Sequence, residues 1–139
     1  MRFNNANSLG FLIKVSARAT ALRRPTKGLE QIDEVARQIE TTQERGTEAD
    51  MHRVRGELLT AVGDAVAAET RLCKAISVAR RQNAKVWELP AANSLACLWR
   101  GQGKRTEARD VLAPIYGWFT EGFDTPVLKE AKALLDELA

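Results

Sequence analysis

The stretch Gly56–Ala75, GELLTAVGDAVAAETRLCKA, decides the fold. It reads as two helices that meet at Gly63–Asp64, where glycine can adopt the left-handed conformation that ends one helix and aspartate can cap the next. Forty residues on, residues 96–115 repeat the pattern as ACLWRGQGKRTEARDVLAPI, with Gly103 opposite Gly63. A fixed period of this length is typical of a solenoid, in which each unit buries its apolar face against its neighbour.

A degenerate first copy lies upstream of this unit. Gly28 and Ile32 fall forty residues before the matching small and large apolar residues of the second copy. The apolar spacing predicts a helix from Lys27 to about Arg45, preceded by another from Leu9 to about Arg23. Pro25 separates them, because proline disfavours helical geometry in the residue before it.

The fold class that we predict is all-α, a right-handed α-solenoid of about three antiparallel helix pairs plus a C-terminal capping helix. It fills residues 1–139 as a single domain, with pairs at about 9–45, 47–82 and 89–119 and a cap at about 126–138. Pro90 is expected at the first position of a helix, where its missing N–H loses no hydrogen bond. Gly56 in mid-helix costs about 1 kcal/mol relative to alanine, which predicts that a partner helix approaches closely there.

The composition is that of an ordinary soluble globular protein, with 45% hydrophobic and 28% charged residues. No apolar run approaches the roughly 18 residues that a membrane-spanning helix needs, so we expect no membrane partner. Cys73 and Cys97 fall in helical patterns without paired ligand spacing. We therefore expect two buried thiols in a reducing, cytoplasmic compartment.

Charge is distributed unevenly along the chain, whose net charge is +3. Residues 1–29 carry six basic side chains and no acidic one, since the first carboxylate is Glu30. Such a segment could bind nucleic acid, an anionic membrane or an acidic partner. The six charges are spread over 29 residues, however, which favours a solvated helix face over nucleic-acid binding.

The small-residue, turn and large-residue pattern at Gly56, Gly63, Ala68 and Leu72 resembles a tetratricopeptide repeat, although the period of forty exceeds the usual 34. More specifically, HRVRGELLTAVGD from His52 and YGWFTEGFDTPVLKEAKALLDEL from Tyr116 resemble the carboxy-terminal tetratricopeptide region of large bacterial signalling ATPases. Those proteins often carry an adenylate or guanylate cyclase domain or a DNA-binding domain at the other end. The resemblance implies a scaffold role for this chain, because the enzymatic parts lie outside the matched region.

The residues themselves also argue against an enzyme. The chain has no GxxxxGK[ST] phosphate-binding loop, and its Gly101–Gly103 pair stands at a helix-helix turn without a preceding strand. His52 is the single histidine, so a histidine-based metal site or catalytic pair would have to be built around one ring. We expect no catalytic residue, metal or cofactor.

The resemblance implies that the first helices of the repeats line a groove for a ligand. Carrying over the repeat's ligand-facing positions gives Asp50, Arg53, Glu57 and Thr60 in the second unit and Asn93, Cys97 and Arg100 in the third. Two arginines in such a groove suit an acidic or carboxylate-bearing peptide. The alternative is that all of these are ordinary exposed residues.

We therefore expect a non-enzymatic scaffold that binds a protein or a peptide, as the regulatory or interaction region of a bacterial signalling ATPase or cyclase-type protein. Two alternatives stay open. One is a homodimerisation module, in which an exposed end of the solenoid pairs with a second copy. The other is nucleic-acid binding through the basic amino-terminal third.

Overall fold

The structure, a computed structural model, describes residues 25–42 and 48–139 and is all-α over these residues, with six helices and no strand. The helix predicted at about 9–23 and most of the basic amino-terminal segment lie outside the described residues. The six helices are α1 (Pro25–Thr42), α2 (Glu48–Ala61), α3 (Ala65–Arg81), α4 (Lys85–Gly101), α5 (Arg105–Trp118) and α6 (Pro126–Leu138).

Three turns of the same geometry connect α2 to α5. Gly63, Asn83 and Gly103, spaced twenty residues apart, take positive φ angles of 90°, 51° and 79°. At each turn the next residue's N–H donates to a carbonyl oxygen five residues back, at 2.9 Å: Asp64 to Leu59, Ala84 to Ala79, and Lys104 to Trp99. This is the helix-ending motif that a left-handed residue permits, and asparagine adopts it more readily than other non-glycine residues. The sequence predicted the turns at Gly63 and Gly103 from their glycines. It did not predict the turn at Asn83.

The start of α4 was predicted wrongly. The helix begins at Lys85 and not near Leu89, so Pro90 lies inside it. The turn at Asn83 explains the difference. A helix begins two residues after Asn83, just as α3 begins two residues after Gly63. Pro90 removes the hydrogen bond to the carbonyl of Val86, a residue that is exposed in the first turn of α4.

Each helix packs against the next one in the chain, and α4 also contacts α2 and α6. Within the described residues no Cα atom of α3 comes within 8 Å of a Cα atom of α5. The chain therefore holds two sets of helices. In the first set, α2, α4 and α6 pack in succession, and in the second set α1, α3 and α5 each pack on members of the first.

The forty-residue period reappears as a pattern of burial. Small buried residues occupy one position of α1, α3 and α5, and large buried residues occupy the position one turn later: Gly28, Ala68 and Ala108, then Ile32, Leu72 and Leu112. The other set shows the same agreement at Met51, Ala91 and Ala131, which are buried in α2, α4 and α6. The helix predicted as a cap, α6, thus continues the positions of α2 and α4.

Gly56 confirms the predicted close approach between helices. A Cβ atom at this position would lie 2.6 Å from Cγ of Leu72 and 3.3 Å from the backbone oxygen of Ala68. Both neighbours belong to α3, and Leu72 is 1% exposed. The absence of a side chain on α2 therefore lets α3 lie against it.

The turn between α2 and α3 also contains the predicted N-terminal cap of α3, Asp64. The Asp64 carboxylate accepts a hydrogen bond from the backbone N–H of Ala67 at 3.2 Å, at the start of α3. None of the helices in the described ranges combines the length and the apolar character that a transmembrane span requires.

Candidate functional site

The predicted site residues share equivalent positions on α2 and α4, and α6 adds a third member to each. Arg53, Asn93 and Ala133 stand forty residues apart, as do Glu57, Cys97 and Glu137 one turn further along. We call this surface the α2–α4–α6 face and define it by Asp50, Arg53, Glu57, Asn93, Cys97, Arg100, Glu130, Ala133 and Glu137. The prediction omitted its α6 members because α6 was read as a cap, although adding forty to the numbers of Asn93 and Cys97 would have found Ala133 and Glu137.

Arg53 binds two carboxylates of its own helix. Its Nε lies 2.8 Å from Oδ1 of Asp50 and its Nη1 lies 2.8 Å from Oε1 of Glu57. The Arg53 side chain is 13% exposed and Asp50 is 2% exposed. Burial opposes the charged form of Arg53, but the negative charges of Glu57 and Asp50 outweigh it and raise its pKa. The positive charge of Arg53 is therefore already balanced by two carboxylates of α2.

A serine joins this cluster to the next helix. The Ser94 hydroxyl on α4 donates to Oε1 of Glu57 on α2 at 2.9 Å. Thr60, predicted to face a ligand, instead donates its hydroxyl to the carbonyl oxygen of Gly56 in its own helix at 2.9 Å. Asp50, Arg53 and Glu57 thus form one hydrogen-bonded group, and Thr60 is exposed beyond it.

Asn93 joins α4 to α6. Its Nδ2 donates to the backbone oxygen of Val127 at 3.1 Å, and the residue is 6% exposed. A carbonyl oxygen only accepts, so the amide nitrogen must face Val127 and the amide oxygen must point elsewhere. Oδ1 of Asn93 and Oδ2 of Asp50 are buried without a hydrogen-bond donor among the described residues. A buried acceptor left in this state costs roughly 1–3 kcal/mol.

Arg100, the second predicted groove arginine, is also paired. Its guanidinium donates to Glu137 of α6, and this hydrogen bond raises its pKa. Both side chains are about half exposed, at 41% and 55%, so the pair contributes little to stability, on the order of 0–1 kcal/mol. Each of the two predicted arginines therefore has a carboxylate partner.

An open depression of about 540 Å³ lies between α4 and α6. All three predicted residues of α4 line it, and α6 supplies the opposite wall: Asn93, Cys97 and Arg100, then Glu130, Ala133, Leu134 and Glu137. The predicted residues of α2 are not part of its lining. The structure therefore brings the α4 half of the predicted site together with residues of α6.

Cys97 and Cys73 are both exposed, so the prediction of two buried thiols was wrong. The reason is positional, because Cys97 shares its place in the repeat with Glu57, and Cys73 shares its place with the exposed Asp33. Partial burial raises the pKa of the Cys97 thiol. Arg100 lowers that pKa, whereas the carboxylates of Glu130, Glu57 and Glu137 raise it.

A second open depression, also of about 540 Å³, lies between α3 and α5, with residues of α4 at its floor. Cys73, Arg80 and Arg81 of α3 line it, together with Leu95, Trp99 and Val111 among its apolar members. No carboxylate belongs to the described lining. The two depressions thus differ in charge, since acidic side chains occur in the lining of only the first.

His52 lies outside both linings, within the α2 packing. It is 7% exposed, and burial, followed by the positive charges of Arg71, Lys74 and Arg55, lowers its pKa to about 4. The ring is therefore neutral at pH 7. Across residues 25–42 and 48–139 no cluster of three or more histidine, cysteine or acidic residues is placed to hold a metal ion.

No family model, curated protein or solved structure matches this chain.

Proposed function

We propose that this chain is a non-enzymatic, tetratricopeptide-like scaffold that binds a segment of a partner protein on its α2–α4–α6 face. The observation that carries the proposal is the depression between α4 and α6, in which Asn93, Cys97 and Arg100 meet residues of α6. These three were chosen from the sequence as ligand-facing positions. A shallow cleft between two neighbouring helices suits an extended or helical peptide.

The contact pattern supports a solenoid, which we propose to be right-handed, as the architecture of this scaffold. In such stacks of helical hairpins, each unit contacts only its neighbours. Here α2, α4 and α6 contact one another in order, and α3 and α5 stay apart among the described residues. The forty-residue agreement in burial across three helices of each set adds to this support.

The biological setting that we propose follows from the resemblance of residues 52–64 and 116–138. It is the regulatory or interaction region of a bacterial signalling ATPase or cyclase-type protein, located in the cytoplasm. In this proposal the catalytic domains belong to other parts of such proteins. The residues of the α2–α4–α6 face hold a peptide and perform no chemistry.

Blocking the depression tests the proposal. Ala133 is exposed on α6 and lines the depression, so Ala133→Trp would fill it without disturbing the core. Ala113, which is also exposed but lies on α5 and outside the lining, provides the matched control Ala113→Trp. We expect proteins that are captured on the immobilised wild-type chain to be lost with Ala133→Trp and retained with Ala113→Trp. Equal capture by both variants would reject the α2–α4–α6 face as the binding surface.

Homodimerisation is a second candidate, favoured by exposed aromatic side chains at the connection between α5 and α6. Trp118 is 57% exposed and Phe123 is 45% exposed. Large apolar residues that remain accessible together often mark a contact surface. Light scattering over a dilution series should show a dimer that Trp118→Ser dissociates, whereas a monomer at every concentration would exclude this candidate.

A further inference from the structure

The segment that joins α5 to α6 combines exposed aromatic rings with unpaired carboxylates. We call residues 118–125, WFTEGFDT, the acidic aromatic segment; it contains two acidic residues and no basic one. Trp118 is 57% exposed and Phe123 is 45% exposed. Glu121 and Asp124 are exposed as well, and neither carboxylate has a hydrogen bond or an ion pair among the described residues. Apolar and negatively charged surface is therefore available together here for a contact.

The depression between α3 and α5 has complementary properties. Its apolar lining includes Trp99 and Val111, both of them partly exposed. Arg81 is exposed in the same lining and forms no ion pair within the part of the chain that the structure describes. Arg80, the other arginine of the lining, is bound to Glu88. The depression thus offers apolar surface beside one available guanidinium group.

The surrounding surface of α3 is basic as well. After Glu69, α3 carries four basic residues and no acidic one. Glu69 raises the pKa of the Cys73 thiol, but its own carboxylate has a cation as a partner, since Oε1 lies 3.8 Å from Nζ of Lys104. Lys74, which is exposed beside Cys73, has no carboxylate partner among the described residues. Lys74 and Arg81 therefore leave this side of α3 with uncompensated positive charge.

We infer that the acidic aromatic segment of one copy of this chain docks in the depression between α3 and α5 of a second copy. The ring of Trp118 enters the depression, and Glu121 and Asp124 face Arg81. Tryptophan and arginine are enriched at the centres of protein contacts, and opposite charges fix the orientation of the two partners. The described lining contains no residue of the chain's own segment.

This contact goes beyond the scaffold proposal, because it uses neither wall of the depression between α4 and α6. It also gives the homodimerisation candidate a second, different surface. The segment of one copy meets the depression of the other, so the two surfaces in contact are not the same. A contact of this kind makes a prediction that a contact between two identical aromatic patches does not make.

Two substitutions should each abolish the contact from one side, as measured by sedimentation velocity of the full chain over a dilution series. Trp118→Ser removes the ring, and Ser77→Trp fills the depression, because Ser77 is exposed in its lining. We expect each to weaken self-association at least about tenfold, as for a tryptophan at the centre of an interface. Thr70→Trp is the matched control: Thr70 is exposed on the same side of α3, two turns earlier and outside the lining. Self-association that survives Ser77→Trp would overturn the inference.

Mixing the two defective variants gives the sharper test. The Trp118→Ser chain keeps an intact depression, and the Ser77→Trp chain keeps an intact segment. We expect each variant to be monomeric alone and the equimolar mixture to form a dimer of one copy of each. A mixture that stays monomeric, at concentrations where the wild type associates, would show that the depression is not the acceptor.

Charge exchange tests the ionic part of the contact. Arg81→Glu should weaken self-association about fivefold at low salt, since exposed ion pairs are typically worth up to that much. The double variant Arg81→Glu/Glu121→Arg should recover it, because every copy then carries both exchanged charges. In 1 M salt, where the Debye length is about 3 Å, the difference between wild type and Arg81→Glu should disappear. No effect of Arg81→Glu at low salt would reject the proposed orientation.

The outcomes separate this inference from the proposed function. Ala133→Trp should leave self-association unchanged, and Ser77→Trp should leave capture of a partner by the α2–α4–α6 face unchanged. A wild-type chain that is monomeric at every concentration would reject the inference and keep the scaffold. If that monomer still binds a fluorescein-labelled peptide of residues 116–126, and Ser77→Trp abolishes the binding, the occupant is a similar segment of another protein and not a second copy.

Discussion

Gly56→Ala should destabilise the protein, although alanine is the better helix former. The added Cβ would lie 2.6 Å from Cγ and 2.8 Å from Cδ2 of Leu72, and 3.3 Å from the backbone oxygen of Ala68. Leu72 is almost fully buried, so it cannot turn aside into solvent. The substitution therefore forces α2 and α3 apart.

The magnitude follows from two opposing effects. Overpacking a well-filled core costs typically 1–3 kcal/mol. Replacing a mid-helix glycine by alanine returns about 1 kcal/mol. Because the contacts with Leu72 are far inside normal separation, we take the upper part of the first range and expect a net loss of about 1–2 kcal/mol in the free energy of unfolding.

Urea denaturation followed by circular dichroism at 222 nm measures this change. Gly117→Ala is the matched control, because Gly117 lies in α5 and a Cβ there meets nothing within 4 Å. It should be neutral or stabilise by up to about 1 kcal/mol. A Gly56→Ala protein at least as stable as the wild type would refute the reasoning.

A double-mutant cycle identifies the contact that is responsible. Leu72→Ala removes both Cγ and Cδ2, so Gly56→Ala should become nearly neutral or stabilising in that background. The expected coupling is about 1–3 kcal/mol, as for residues in direct contact. An unchanged penalty for Gly56→Ala would show that the cost arises elsewhere, for example at the backbone of Ala68.

Three further predictions concern caps and charges. Asp64→Ala should lower stability by about 1 kcal/mol in the same denaturation assay, because it removes the cap on α3. Arg53→Ala should cost about 3 kcal/mol, since it leaves the buried carboxylate of Asp50 unpaired, whereas Arg100→Ala should cost less than about 1 kcal/mol. Acid should destabilise the protein between about pH 6.5 and pH 4, because the unfolded chain protonates His52 near pH 6.5 and the folded chain only near pH 4. We expect a loss of about 2 kcal/mol over this window, which His52→Gln should abolish and which a flat stability profile of the wild type would contradict.

The helices that the sequence predicted well are those whose ends carry local signals. Pro126 begins α6 at the predicted residue, and Gly63 with Asp64 marks the α2–α3 turn, because proline, glycine and a capping carboxylate act on the backbone within a few residues. Asn83 gave no comparable signal, since asparagine is common in many other conformations. For that reason the sequence predicted the start of α4 at Pro90. The helix in fact begins at Lys85, directly after the turn at Asn83.

The sequence predicted which of the candidate residues share a helix face, but not which partners their side chains bind. The repeat placed Asn93 and Arg100 on a common surface, and in the structure both line the depression between α4 and α6. Whether an arginine is available to a ligand depends on its neighbours in space. Glu137 lies thirty-seven residues from Arg100 along the chain, and only the packing of α6 against α4 brings the two together.

The three equivalent turns also govern how the length of this chain can change. Deleting residues 64–103 would join α2 directly to α5 through Gly63, which already has the left-handed conformation that Gly103 provides. The shortened chain would present α2 where α4 now stands, with small and large residues at matching positions against α5 and α6. Within the helices from α2 to α5, an insertion or deletion of a different length would turn apolar side chains outward. Viable length variants of this protein should therefore differ by whole multiples of forty residues, as happens when a gene segment is duplicated or lost by recombination between its own repeats.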